Sequence, residues 1–142
     1  MPVLKGEYLP FPVTDKDGRL LEMVYRPHIW FMFKIGHRLT KPIAGLIDSG
    51  ADRNLFPAQI GEQLGINVKR WRPHITTGIG NHQITTFRHS GIDLLFDSGH
   101  HFQTEVDFSY EIETLLLGGI GFFDKFKKVT FQKKAEIVEL EY

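Results

Sequence analysis

Ile43-Ala44-Gly45-Leu46-Ile47-Asp48-Ser49-Gly50-Ala51 decides how the rest of this chain is read. The apolar run is too short for a buried helix and closes on a turn signal, so it predicts a buried strand. A carboxylate at the end of such a strand is costly unless it is hydrogen-bonded or has a function. Ser49 sets a hydroxyl beside it, and Gly50 lets the backbone turn with its amide close to the carboxylate. Ala51 keeps the surroundings narrow. This arrangement suits an acid in a loop at the floor of a cleft. Asp-Ser-Gly is also ordinary turn chemistry, because Asp and Ser cap backbone amides and Gly takes positive φ.

A second copy of the tripeptide serves as a control. Asp97-Ser98-Gly99-His100 lies between Ile92, Leu94, Phe96 on one side and Phe102, Thr104, Val106, Phe108 on the other. Both sets alternate as amphipathic strands, so this copy is predicted to be an exposed hairpin turn.

Composition narrows the classes. The 142 residues suit one domain spanning residues 1–142, with enough chain to bury a core. Seventeen basic and seventeen acidic side chains cancel, so overall charge recruits neither nucleic acid nor an anionic membrane. The absence of cysteine excludes a disulfide scaffold, a thiolate zinc site and a cysteine nucleophile. No apolar run has the length to span a bilayer as a helix, and no basic segment followed by an apolar core opens the sequence. A soluble, cytoplasmic protein is the expectation. Twelve Phe and fourteen Gly among many short apolar stretches favour a β-rich fold.

In order, residues 1–12 read as an extended arm or edge strand, with Asp15-Lys16-Asp17-Gly18 as a hairpin turn. Strands are expected over Leu20–Tyr25 and over His28–Ile35, and Gly36-His37-Arg38 turns the chain back into the strand that ends at Asp48. Pro57 at a first helical position predicts a short helix closed by Gly65, with Ile60 and Leu64 on its buried face. Val68–Thr76 reads as a strand. Gly78-Ile79-Gly80 then falls at a hairpin tip, where a plain β-turn is the alternative to any special role. Leu115-Leu116-Leu117 is a second short buried strand, ended by Gly118-Gly119 and followed by a short helix over residues 120–126. Val129–Phe131 and Glu136–Tyr142 form a last hairpin.

With these pieces placed, the chain resembles the retropepsin-like aspartic proteases. Leu46-Ile47-Asp48-Ser49-Gly50-Ala51 is similar to the family's catalytic motif, and Gly78-Ile79-Gly80 falls where the family carries its flap. Leu115-Leu116-Leu117-Gly118 looks like the hydrophobic segment that packs under the catalytic loop. The resemblance runs from His28 to Phe131. It implies a mainly β, single-domain, closed barrel of short strands with a flap hairpin and one or two short helices. It also implies Asp48 as the catalytic residue, supported by Ser49 and Gly50, with Ala51, Asp52, Gly78, Ile79 and Gly80 at the substrate. The family often has an Arg after the glycine that corresponds to Gly118; here Gly119 and Ile120 follow. Asp52, the acid such an Arg would meet, is left to pair with Arg53 or with nothing.

The chemistry implied is that of an aspartic endopeptidase without metal or cofactor. One carboxylate activates a water and one carboxylic acid protonates the substrate carbonyl, so two acids are required. This chain has one credible motif, and a homodimer would supply the second Asp48. Val3, Leu4 and Leu9 with Ile137, Val138 and Leu140 are the expected interface strands. The partners expected are therefore an extended peptide and a second copy, with no nucleic acid and no membrane. The alternative is a retropepsin-fold binding or dimerisation module with weak or no catalysis, to which the missing Arg points. A metal-dependent hydrolase is disfavoured, because the seven His are scattered and read as surface residues.

Overall fold

Alternation of apolar and polar residues builds the long strands, and short all-apolar runs build the ones buried on both faces. The computed structural model describes residues 2–142, with Ile79 by its backbone alone. Eleven strands occur among the described residues: β1 (Val3–Thr14), β2 (Leu20–Ile35), β3 (Arg38–Leu39), β4 (Ile43–Ile47), β5 (Leu55–Pro57), β6 (Pro73–Thr77), β7 (Gln83–Leu95), β8 (His101–Ser109), β9 (Leu116–Leu117), β10 (Lys128–Gln132) and β11 (Ile137–Glu141). One helix, α1 (Ala58–Gln63), and short 3-10 turns complete the chain.

The sheet runs β10-β11-β1-β2-β4-β9-β5-β8-β7-β6, and β7 also pairs with β2. Six of these strands therefore form a ring, which closes through Met32–Lys34 against Asp93–Leu95. The expected mainly β, retropepsin-like architecture is present. The expected closed barrel is instead this ring of short pairings, because β9 contributes only two residues and lies between β4 and β5. Inside the ring, Phe31, Phe33, Phe56 and Phe108 are fully buried, with neighbouring ring centroids 5.6–6.1 Å apart. Tilted and edge-on contacts of this kind add to the area these rings bury.

Several local expectations are corrected. Leu20–Tyr25 and His28–Ile35 are one continuous strand, since Pro27 stands opposite Tyr8 without breaking the β1–β2 pairing. Within the expected arm, β1 pairs with β11 over Val3–Glu7 and with β2 over Glu7–Thr14, so its first half is tied into the chain's own sheet. Consequently Leu4, Val138 and Leu140 lie in the core, at 4%, 0% and 0% exposure, and are not a free interface. Val3, Leu9 and Ile137 are half-buried. Val68–Thr76 is a 3-10 turn at Val68–Arg70 followed by β6, with Pro73 opening the strand. Pro57 caps α1 from outside it, and the helix buries Ala58 and Gly61, with Leu64 buried at its end and Ile60 half-buried. Residues 123–125 form a 3-10 turn and not a longer helix. His28 and His89 are buried, each with a ring nitrogen on a backbone carbonyl, that of Arg26 at 2.7 Å and that of Val68 at 2.8 Å. The Asp15–Gly18 and Asp97–Gly99 turns are where the sequence places them, with Gly18 and Gly99 at positive φ.

The second of these turns is tied to the last residue. His100 stacks on Tyr142 with centroids 3.7 Å apart at 15°. Burial lowers the His100 pKa below the ordinary 6.5, and the neighbouring His101 adds to the lowering. The unfolded chain then binds a proton here more readily than the native one, so stability is lost as pH falls through 6.5. The melting temperature should fall between about pH 7.5 and about pH 5.5, and less steeply in His100→Phe. Identical slopes for parent and variant, measured by thermal denaturation, would remove His100 from the account.

Candidate active site

Asp48 follows directly from β4, and β9 decides where it stands. The Leu46 N–H donates to Leu115 O at 2.9 Å, and the Asp48 N–H to Leu117 O at 3.0 Å. Gly45 lets the two strands nest: a Cβ there would lie 2.8 Å from methyl carbons of both Leu115 and Leu117. Beyond Asp48 the chain turns back. Gly50 N–H donates to Asp48 Oδ1 at 2.9 Å, and Ala51 N–H to Asp48 O at 3.1 Å. The carboxylate is half-buried, whereas Ser49 and Gly50 are exposed.

The loop is held from behind by the segment after β9. Gly119 N–H donates to Ala51 O at 2.9 Å and Ile120 N–H to Asp52 O at 2.8 Å. Gly118 passes so close that a Cβ would sit 2.4 Å from Arg53 O and 2.7 Å from Ala51 O. Asn54, wholly buried, links three pieces of chain. Its Oδ1 accepts from Gly118 N–H at 3.1 Å, and its Nδ2 donates to Glu105 O at 3.1 Å. Thr104 Oγ1 donates to Gly121 O at 2.6 Å beside it. An open question in the sequence is thereby closed: Arg53 pairs with Glu105, and Asp52 has no ion-pair partner among the described residues. Asn54 braces the loop from within, and in the sequence it is only the last of the polar Asp52-Arg53-Asn54 before the apolar Leu55-Phe56.

The facing wall is the β6–β7 hairpin. Its register runs from Pro73 opposite Phe87 to Thr77 opposite Gln83, and Gly78 N–H donates to His82 O at 2.7 Å to close the tip. Gly80 and Asn81 both take positive φ there. Thr76 and Thr86 share a hydroxyl contact of 3.2 Å, and Glu111 accepts the outward N–H of Thr85 at 2.7 Å. At the base, Arg88 holds Asp107 with two nitrogens, at 2.9 and 3.4 Å. Asp107 is only 3% exposed, and its hydrogen bond raises the Arg88 pKa. A buried carboxylate requires such a partner.

Between these walls lies a cleft of about 580 Å³. Asp48, Gly50, Ala51 and Asp52 line its floor, and Gly78 lines its roof with Thr77 and Ile84. Ser49 and Gly80 do not line it, and the side chain of Ile79 lies outside the described residues. Asp97 lies on a different cavity, with Trp30 and Ile137. Among the described residues no three His, Asp or Glu side chains converge as metal ligands.

A carboxylate at the end of one strand, a central short strand running between two neighbours behind it and a hairpin facing it together make the fold of retropepsin-like aspartic proteases. Solved structures share it. A retropepsin-like aspartic protease from Rickettsia conorii superposes with a TM-score of 0.58 at 15% identity, covering 99% of each chain. The EIAV protease, solved with an inhibitor, superposes with a TM-score of 0.52 at 20% identity over 66% of this chain and 81% of its own. What they share with this chain is the fold. No protein-family model and no curated protein matches the sequence.

Gly118 should therefore be intolerant and Gly119 tolerant, since a Cβ at Gly119 would come no nearer than 3.4 Å to Asp52 O. Denaturant unfolding should show Gly118→Ala destabilised by about 1–3 kcal/mol, with Gly119→Ala close to the parent. Equal losses at both positions would refute the close approach.

Proposed function

We infer that the protein is an aspartic endopeptidase, active as a homodimer, that hydrolyses peptide bonds with a water held between two copies of Asp48. The observation that carries this is the placement of Asp48. Its backbone is fixed by β9, one carboxylate oxygen is already bonded by Gly50, and the group opens into a cleft roofed by a hairpin.

Two carboxylates side by side cannot both ionise cheaply, so they share a proton and titrate as a pair. The ionised member takes a proton from water, and the protonated one gives its proton to the carbonyl oxygen of the scissile amide. Among the described residues of one chain, Gly50 N–H is the only hydrogen-bond partner of the Asp48 carboxylate. On this reading the second acid comes from a second chain. An extended peptide in the cleft would be gripped through its backbone, as in strand addition, between the Asp48 loop and the β6–β7 hairpin. Closure of the tip at Gly78–Gly80 over that peptide would exclude water. Ser49 is exposed beside Asp48, which suits a contact with the partner's loop. The buried Asn54 bridge and the Arg53–Glu105 pair brace the loop without the Arg that the family often carries, so the missing Arg does not leave the loop unsupported.

The test is cleavage of a peptide library by the parent and by Asp48→Asn and Asp97→Asn. Activity should vanish in the first, with the circular dichroism unchanged, and persist in the second. Equal loss in both would sink the assignment.

Activity against pH should be bell-shaped. It should fall as pH drops through the lower apparent pKa of the pair, where the base is lost, and as pH rises through the upper one, where the acid is lost. A rate still climbing in alkaline solution would point to a different nucleophile.

A further inference from the structure

Where a second copy would dock is set by a feature that the cleft does not use. We propose that the β1–β2 arm, Leu9–Thr14 paired with Leu20–Arg26, clasps a second copy of this chain and so brings two Asp48 loops together. The proposal rests on the reading of Asp48 as one half of a shared pair.

The arm continues a core face beyond the core. Along β2, Ile29, Phe31 and Phe33 are 3%, 1% and 0% exposed, and the two-residue period carries that face back to Tyr25 and Met23. Along β1, the buried Leu4 and Gly6 lead by the same period to Pro10 and Pro12. The register pairs Pro10 with Tyr25 and Pro12 with Met23, so the four share one face. Here all four are exposed. Met23 and Tyr25 are each 48% exposed, and Leu20 and Leu21 at the tip are 61% and 64% exposed. A contiguous apolar surface of this kind marks an interaction site. A two-stranded ribbon is marginal in water without such cover.

The direction of the arm identifies its occupant. β4 runs antiparallel to β2 with Leu46 opposite His28, so two residues further on Asp48 comes level with Arg26. The arm begins at that level and extends about 20 Å past it, at the strand rise per residue. A copy that brings its own Asp48 against this one lies beyond the same end of the sheet, alongside the arm. Two-fold symmetry makes the embrace reciprocal, each arm lying on the other subunit. The terminal strands offer less, because Leu4, Val138 and Leu140 are already in the chain's own core. At this end the arm offers a partner exposed apolar surface.

Sedimentation velocity over about 1–100 μM would test this on the full chain, with the parent, Asp48→Asn, the double variant Met23→Glu/Tyr25→Glu and the milder Leu21→Lys. Parent and Asp48→Asn should dimerise alike, and the double variant should dissociate at least about tenfold more readily with unchanged circular dichroism. Leu21→Lys, at the exposed tip, should weaken association in the same direction, and it carries the test if the double variant does not fold. A parent that stays monomeric throughout, or arm variants that associate like the parent, would overturn the proposal. So would arm variants that change only binding to lipid vesicles. Arm-dependent dimers that cleave no peptide would leave the clasp standing and remove the protease reading. A monomer whose cleavage still depends on Asp48 would remove both.

Discussion

Gly118 lies against the carbonyl oxygens of Ala51 and Arg53, and the rest of the site depends on that approach. With no side chain in the way, the segment after β9 runs flush against the loop after Asp48 and exchanges backbone hydrogen bonds with it from Ala51 to Ile120. Any larger residue would push the two apart by the thickness of a methyl group, and close-packed interiors do not absorb such a change cheaply. Between Leu115 and Leu117, a layer below, Gly45 permits the same kind of close approach. Asp48 is thus fixed by backbone contacts, which hold a side chain at a strand end more firmly than a free loop does.

Burying so much polar backbone requires that each group find a partner, and among the described residues no buried side-chain nitrogen or oxygen lacks one. Asn54 is central to that accounting. It accepts from Gly118 and donates toward Glu105, joining the segment after β9 to β8. The Arg88–Asp107 pair has a comparable effect at the base of the hairpin. Asp107 sits opposite Arg88 across the β7–β8 ladder, so the strand pairing itself delivers the guanidinium to the buried carboxylate. At the other end of the hairpin the chain reverses through Gly80 and Asn81, which take the left-handed conformation.

The two ends of the chain behave differently from the arm between them. β1 is shared: its first half completes a sheet with β11 and β10, and its second half leaves the body with β2. The first half buries Leu4 in the core, whereas the part of β2 paired with the second half leaves Met23 and Tyr25 exposed. No helix among the described residues is long and apolar enough to cross a membrane.

Much of this was legible in the residues themselves. A short apolar run ending in Asp-Ser-Gly-Ala, a Gly-x-Gly at a hairpin tip and a triple leucine ending in glycine place the strands around the site, because periodicity and glycine act locally. The different fates of Asp48 and Asp97 were legible for the same reason: one follows an unbroken apolar run, the other an alternating one. What lies far apart in sequence was not. Asn54 is 64 residues from Gly118, and Arg53 is 52 residues from Glu105, so no local pattern announces either pairing. The burial of His28 and His89 depends on which carbonyls the fold brings to their rings. The terminal strands and the arm are equally apolar and alternating as sequence. Only the tertiary pairing of β1 with β11 decides that Leu4, Val138 and Leu140 belong to the core while Met23 and Tyr25 face outward.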